Sequence, residues 1–165
     1  MSIAQLQPPS FFVRAYRDAD ASATLALFIA AVMQTAAADY EPEQLQAWAR
    51  PDVRDQGEWN KARKARNTFV VVVADSVVGF SDVATDGYID MLFVDPGHCG
   101  KGVGSLLLVE AERLARNAGA HELYANVSIT ARPVFERSGF VVERTQHPVL
   151  AGVALTNFKL RKVLG

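Results

Sequence analysis

Apolar and polar positions along this chain fall into blocks whose period switches between two and about 3.6. Residues 11–16 (FFVRAY) read as a short strand. Residues 21–38 (ASATLALFIAAVMQTAAA) carry no charge, and Leu25, Phe28, Ile29 and Val32 recur at helical spacing. They predict one helix with an apolar stripe, capped by Asp18 or Asp20. Its length reaches that of a membrane span. Ser22, Thr24, Gln34, Thr35 and the many alanines favour a buried amphipathic helix instead. The pattern fades near Asp39 and Tyr40. Pro42 suits the first turn of a second helix, which runs to about Ala49. Pro51 ends it, and a polar helical stretch containing Trp59 follows to about Arg66.

Residues 68–74 (TFVVVVA) form a β-branched run without polar interruption, the pattern of a central strand. Asp75-Ser76 turns it into a strand over 77–83. Asp86-Gly87 is a second hairpin signal, leading into a strand over 88–94. From Gly102 the period becomes helical, with Val103, Leu107, Ala111, Leu114 and Ala118 as the buried face and Gly119 as the stop. Residues 122–127 predict a strand. Thr130 is the expected cap of a short helix with Pro133 in its first turn and Gly139 at its end. Residues 140–145 and 153–161 predict a final antiparallel pair. No repeat or linker divides the chain, so 1–165 reads as one domain, with 1–10 as a flexible N-terminal segment.

Composition adds exclusions. Half of the 165 residues are apolar and 21% are charged, with a formal net charge of −1. That balance gives no electrostatic pull towards nucleic acid or an anionic membrane. The single cysteine allows no internal disulfide, and MSIAQLQPPS lacks the basic start and apolar core of a signal peptide. A cytoplasmic location is the expectation. His98, His121 and His147 have no metal-ligand spacing, so no metal is expected.

The chemistry points to FVDPGHCGKGVGSLLL, residues 93–108. Gly100, Gly102 and Gly104 alternate where a strand passes into a helix. Glycine lets backbone approach a ligand closely, and the N–H groups and dipole of a helix start favour an anion. A pyrophosphate fits such a loop; tight strand-to-helix packing is the competing reading. An NTP-binding loop needs G-x-x-x-x-G-K-[ST], and a dinucleotide loop needs G-x-G-x-x-G. Neither spacing is present.

These residues resemble the GNAT superfamily of acetyl-CoA-dependent N-acetyltransferases. The loop is similar to the family's pyrophosphate motif. A second stretch, ARPVFERSGF, matches the family's A-x-x-x-[Y/F]-x-x-x-G-F through Ala131, Phe135, Gly139 and Phe140. The resemblance covers nearly the whole chain and extends to a bacterial branch of acetyltransferases with poorly defined substrates. It implies an α/β (α+β) fold. That fold is a mixed, mostly antiparallel sheet of six to seven strands with flanking helices, splayed between the fourth and fifth strands, 88–94 and 122–127. Acetyl-CoA would lie in the gap. Leu92, Phe93 and Val94 would pair with its pantetheine arm. Backbone from Cys99 through Gly100, Lys101, Gly102, Val103 and Gly104 to Ser105 would hold the pyrophosphate. Asn126, Ala131 and Phe135 would flank the thiol end, and Lys101 would add charge near the phosphates.

Two departures from the family pattern stand out. Cys99 replaces the usual Gln or Arg. A thiol at a helix start is reactive, but the resemblance places it at the pyrophosphate, far from the thioester. Phe135 replaces a tyrosine that in many members protonates the departing thiolate. Water, Tyr124 or Ser128 would have to serve. Asp90 and Tyr88 alternate onto one strand face and are candidates for base or ammonium anchor. Asp82 is a weaker candidate. Asp39, Tyr40 and Trp48 border the implied acceptor region, and the carboxylates would suit a cationic acceptor. The implied function is acetyl transfer to a primary amine, small-molecule or peptide, by direct attack, in a monomer or homodimer. The alternatives are a non-catalytic acyl-CoA-binding or sensing module and an enzyme acetylating protein N-termini or lysines.

Overall fold

The structure, a computed structural model, describes residues 10–165. The expected flexible segment 1–10 lies, but for Ser10, outside the described residues. Strand β1 is Phe12–Ala15, followed by α1 at Ala21–Ala30, α2 at Pro42–Ala49 and α3 at Gln56–Ala65. Strands β2 (Thr68–Val73) and β3 (Ser76–Asp82) form a hairpin; β4 (Tyr88–Ile89) and β5 (Leu92–Val94) follow. Helix α4 is Val103–Asn117, then come β6 (Glu122–Ser128), α5 (Arg132–Arg137) and β7 (Val141–Gln146). A small hairpin, β8 (Val149–Leu150) and β9 (Val153–Ala154), precedes the last strand, β10 (Asn157–Val163).

The strands make two four-stranded sheets, ordered β1-β2-β3-β5 and β4-β6-β10-β7. The first is antiparallel throughout; in the second only β4 and β6 run parallel. All six residues of β2 are buried, as its uninterrupted apolar run requires. Phe69, Val71 and Val73 face α4, while Val70 and Val72 face Phe28, Val32 and Trp59 of the other helices. Helix α4 covers both sheets: Val103, Leu107 and Ala111 share one core with Ala125, Val127 and Leu160. Gly79 makes this possible, since a Cβ there would lie 2.7 Å from a Val103 methyl.

The predicted strand over 88–94 is broken. Its first half pairs with β6 and its second half with β3, and Asp90 and Met91 lie between. The sheet opens where the resemblance places the opening, but through a strand that changes partners. The predicted strand over 153–161 is also broken: 153–154 belong to the small hairpin, and only Asn157 onward pairs with β7. The first helix is regular only to Ala30; Ala31–Thr35 forms a π turn and Ala36–Ala38 a 3-10 turn. Leu27, Phe28 and Val32 are buried, whereas Leu25 and Ile29 are partly exposed. This apolar segment is a core helix seated on the sheet. On α4 the buried stripe runs through Leu108 and Ala115, not Leu114 and Ala118. Thr130 does not cap α5; its hydroxyl donates to Asp39, and Ser128 Oγ accepts from the Ala131 N–H instead.

Candidate active site

The opening is held by side chains of β3. Buried Asp82 accepts from the backbone N–H of Asp90 at 2.8 Å and of Met91 at 3.2 Å. Ser81 Oγ donates to the Met91 carbonyl at 2.7 Å. A hydroxyl and a carboxylate thus satisfy backbone groups that the broken ladder leaves without partners. Arg63, also buried, lies 3.7 Å from Asp82 and 3.9 Å from Asp90, with its guanidinium over the Trp59 ring. Burial pushes the Asp82 pKa up to about 6, against the opposing pull of the Asp90 N–H and Arg63.

Past this wedge, one edge of β5 is left open. The Asp95 N–H bonds to the Val78 carbonyl, so Phe93 also points its backbone groups at β3. By alternation, those of Leu92 and Val94 face the gap. Two cavities occupy it. The larger, about 440 Å³, is lined by Cys99, Gly100, Gly102, Val103, Gly104 and Ser105 on one side and by Val94 on the other. Gly100 and Gly102 hold φ of +75° and +85°, where any side chain is strained, and Gly102 is an N-cap without a capping side chain. The first bond along α4 is from Leu106 to Gly102, so the N–H groups of Val103, Gly104 and Ser105 have no acceptor within the helix. An anion is the chemistry that such a group of donors takes. Gly104 has a packing role as well, since a Cβ there would lie 2.9 Å from a methyl of Val134.

The smaller cavity, about 250 Å³, is lined by Asp90, Tyr40, Asn126 and Phe135 among others. Trp48, Leu92, Phe93, Ser128 and Ala131 line both, so the two cavities meet at that wall. Asp90 is partly exposed there, with Arg63 and Arg66 3.9 and 3.8 Å from its carboxylate. The Tyr40 hydroxyl donates to the Thr156 carbonyl at 2.6 Å and accepts from the Ile129 N–H, and burial pushes its pKa up.

Several sequence candidates are not brought to either cavity. Tyr124 is partly exposed; its hydroxyl donates to Asp86, which pushes its pKa up to about 12. Tyr88 stacks on Tyr124 with ring centroids 5.2 Å apart and reaches Asp90 only at 3.4 Å. Asp39 is tied to Thr130, and Lys101 is exposed outside the lining. The cation that does line the loop cavity is Arg137. In the smaller cavity sequence reasoning missed Arg54, which lies in an aperiodic stretch with no motif to mark it.

A sheet split by a wedge, with uncapped backbone donors on a glycine loop beside the split, defines an acetyltransferase of the GNAT kind. Residues 36–162 match the family model described as the acetyltransferase (GNAT) domain, and the chain belongs to that family. It is similar to the N-acetyltransferase YafP of Escherichia coli (strain K12), 37% identical over 149 residues, covering 90% of this chain and 93% of that one. Among solved structures it resembles a GCN5-related N-acetyltransferase from Rhodopseudomonas palustris. Identity there is 31%, the TM-score is 0.88, and the match covers 96% of this chain and 97% of the other. It also shares its fold with the yncA acetyltransferase of Salmonella typhimurium, solved with its cofactor acetyl-CoA, at 21% identity and a TM-score of 0.71, covering 94% and 95% of the two chains.

Proposed function

We propose that the protein transfers an acetyl group from acetyl-CoA to a small primary amine by direct attack. The observation that carries this reading is the wall shared by the two cavities. It joins an anion-binding loop to an amine-sized chamber along the open edge of β5. The residues fit the cofactor: uncapped N–H groups of Val103, Gly104 and Ser105, with Arg137 nearby, would hold the pyrophosphate. Leu92 and Val94 would pair with the pantetheine amides. When bound, acetyl-CoA supplies a thioester whose acyl carbon gains a C–N bond as its C–S bond breaks; an ammonium and the thioester become an amide, a free thiol and one proton.

The chain's own groups divide that work. Asp90 anchors the ammonium and passes its proton to water. The Leu92 N–H stabilises the charge that builds on the acyl oxygen. Ser128 Oγ stands at the shared wall, with the Ala131 N–H already donating to it; its proton serves the departing sulfur and is replaced by the second proton that the attacking nitrogen sheds. The Tyr124 hydroxyl is committed to Asp86 outside the cavities, and Phe135 has no proton to give.

Thiol release from acetyl-CoA, measured against a broad amine panel, tests the reading. If acetyl-CoA binds and no amine raises release above background, the protein is a binding module and the enzyme reading is lost. Acetylation of peptides but no small amine would move the reading to protein acetylation. Asp90→Asn should lower kcat at least tenfold while acetyl-CoA affinity stays within about threefold.

A further inference from the structure

The acceptor chamber holds a cation that the proposed transfer does not use. Arg54 lies in the loop after α2, and three contacts fix its guanidinium. Nε donates to the Ala49 carbonyl at 2.9 Å, one Nη donates to the Trp48 carbonyl at 3.0 Å, and the central carbon lies 4.9 Å from the centre of the Phe28 ring. The other nitrogen, Nη1, has no hydrogen-bond partner among the described residues, and no carboxylate among them is in ion-pair range of this group. Its surroundings oppose its charge: burial first, then Arg50 and Arg63, push its pKa down. The carboxylate that lines the same chamber, Asp90, is already shared between Arg63 and Arg66.

A half-buried guanidinium held by two carbonyls, with one nitrogen unpartnered and no carboxylate in range, keeps donors for an anion in the chamber it lines. Its alternative, a solvated arginine that happens to cap α2, would not need to line the chamber. The planar fork suits a two-oxygen anion, and carboxylate is the form that fits beside an amine in about 250 Å³. That volume lies below the ~300–1,000 Å³ usual for drug-sized ligands, which disfavours a bulky or polymeric acceptor end.

We infer that the acceptor is a small amine that also carries a carboxylate, of the amino-acid kind, with Arg54 gripping the carboxylate and Asp90 the ammonium. The inference rests on the acetyl-transfer reading of this chamber and narrows its substrate class. It adds an anionic group to the sequence reading, in which the carboxylates suited a cationic acceptor. A polyamine or a decarboxylated amine would leave Arg54 without a counter-ion in the chamber it lines.

Matched pairs test it. Twenty amino acids, their amides and their decarboxylated amines are compared by kcat/KM with saturating acetyl-CoA. At least one acid should exceed its own amide at least tenfold, although the amide has more free amine at neutral pH. Arg54→Gln should lower kcat/KM for that acid at least tenfold, mostly through KM, and change the amide reaction less than threefold; Arg54→Lys should recover part of the loss. Equal use of acids and amides, or equal loss for both in Arg54→Gln, overturns the inference while leaving acetyl transfer intact. If Arg54→Gln does not fold, the acid-to-amide ratio of the unaltered protein decides alone. If no small amine is acetylated, acetyl transfer to small amines fails first. Binding of N-acetylglycine and its amide to the CoA-loaded protein then decides: tighter binding of the acid supports the carboxylate grip, and equal or absent binding overturns it.

Discussion

Replacing Asp82 with Asn would expose how the split in the sheet is maintained. Asp82 is 1% exposed, accepts two backbone N–H bonds and faces buried Arg63. Its pKa, near 3.9 in an unfolded chain, is pushed up to about 6 by burial. A carboxyl whose folded pKa is raised takes up its proton more readily in the folded state. Its contribution to stability is complete below the unfolded value and is lost as pH rises through 6. Two pKa units at 1.36 kcal/mol each set a ceiling on the order of 3 kcal/mol. Linkage gives roughly half of that gain by pH 5 and roughly four-fifths of it by pH 4. Asn cannot titrate. Urea unfolding of both proteins at pH 7.5, 6, 5 and 4 isolates the effect, because every other carboxylate is common to the two. The stability of the Asp82 protein relative to the Asn variant should rise by those amounts as pH falls. Parallel curves would show that Arg63 and the two N–H donors hold the carboxylate ionised and that burial is not the stronger influence.

Three other substitutions address the site. Gly102→Val forces a β-branched residue to a φ of +85°, a strain of about 1–2 kcal/mol, and crowds the donors at the start of α4; calorimetry should show CoA affinity falling at least tenfold, with the protein still folded. Tyr124→Phe removes a hydroxyl that serves only Asp86, so kcat should stay within about twofold of the unaltered enzyme. Cys99→Ser, at the rim of the loop cavity, should leave turnover within about threefold; a collapse would point to covalent chemistry at that thiol.

The uncapped helix start on the glycine loop was legible in the sequence because its donors are consecutive backbone N–H groups, a pattern in adjacent residues that needs no tertiary knowledge. The buried run of β2 was legible for the same reason, as every side chain in it meets a core on one face or the other. The sequence offered Tyr124 and Ser128 alike as proton donors. It could not show that the sheet is still closed at Tyr124, where β4 pairs, and open at Ser128, roughly 13 Å further along at ~3.3 Å per residue. The structural role of Asp82 was not legible for a related reason. Alternation assumes an unbroken strand, and the break at Asp90-Met91 depends on a carboxylate eight residues earlier. Arg54 gave no signal because its position in the chamber comes from α2 and Phe28, not from its own neighbours in sequence.

The residues that part the sheet are not those that line the acceptor chamber. Ser81, Asp82 and Arg63 work from behind it, while Arg54, Asp90 and Trp48 form its walls. A lineage carrying this arrangement can exchange chamber residues, and so trade one substrate for another, without putting the opening at risk. The hinge of the architecture is inherited separately from its taste, which is the modularity expected where one scaffold serves many acceptors.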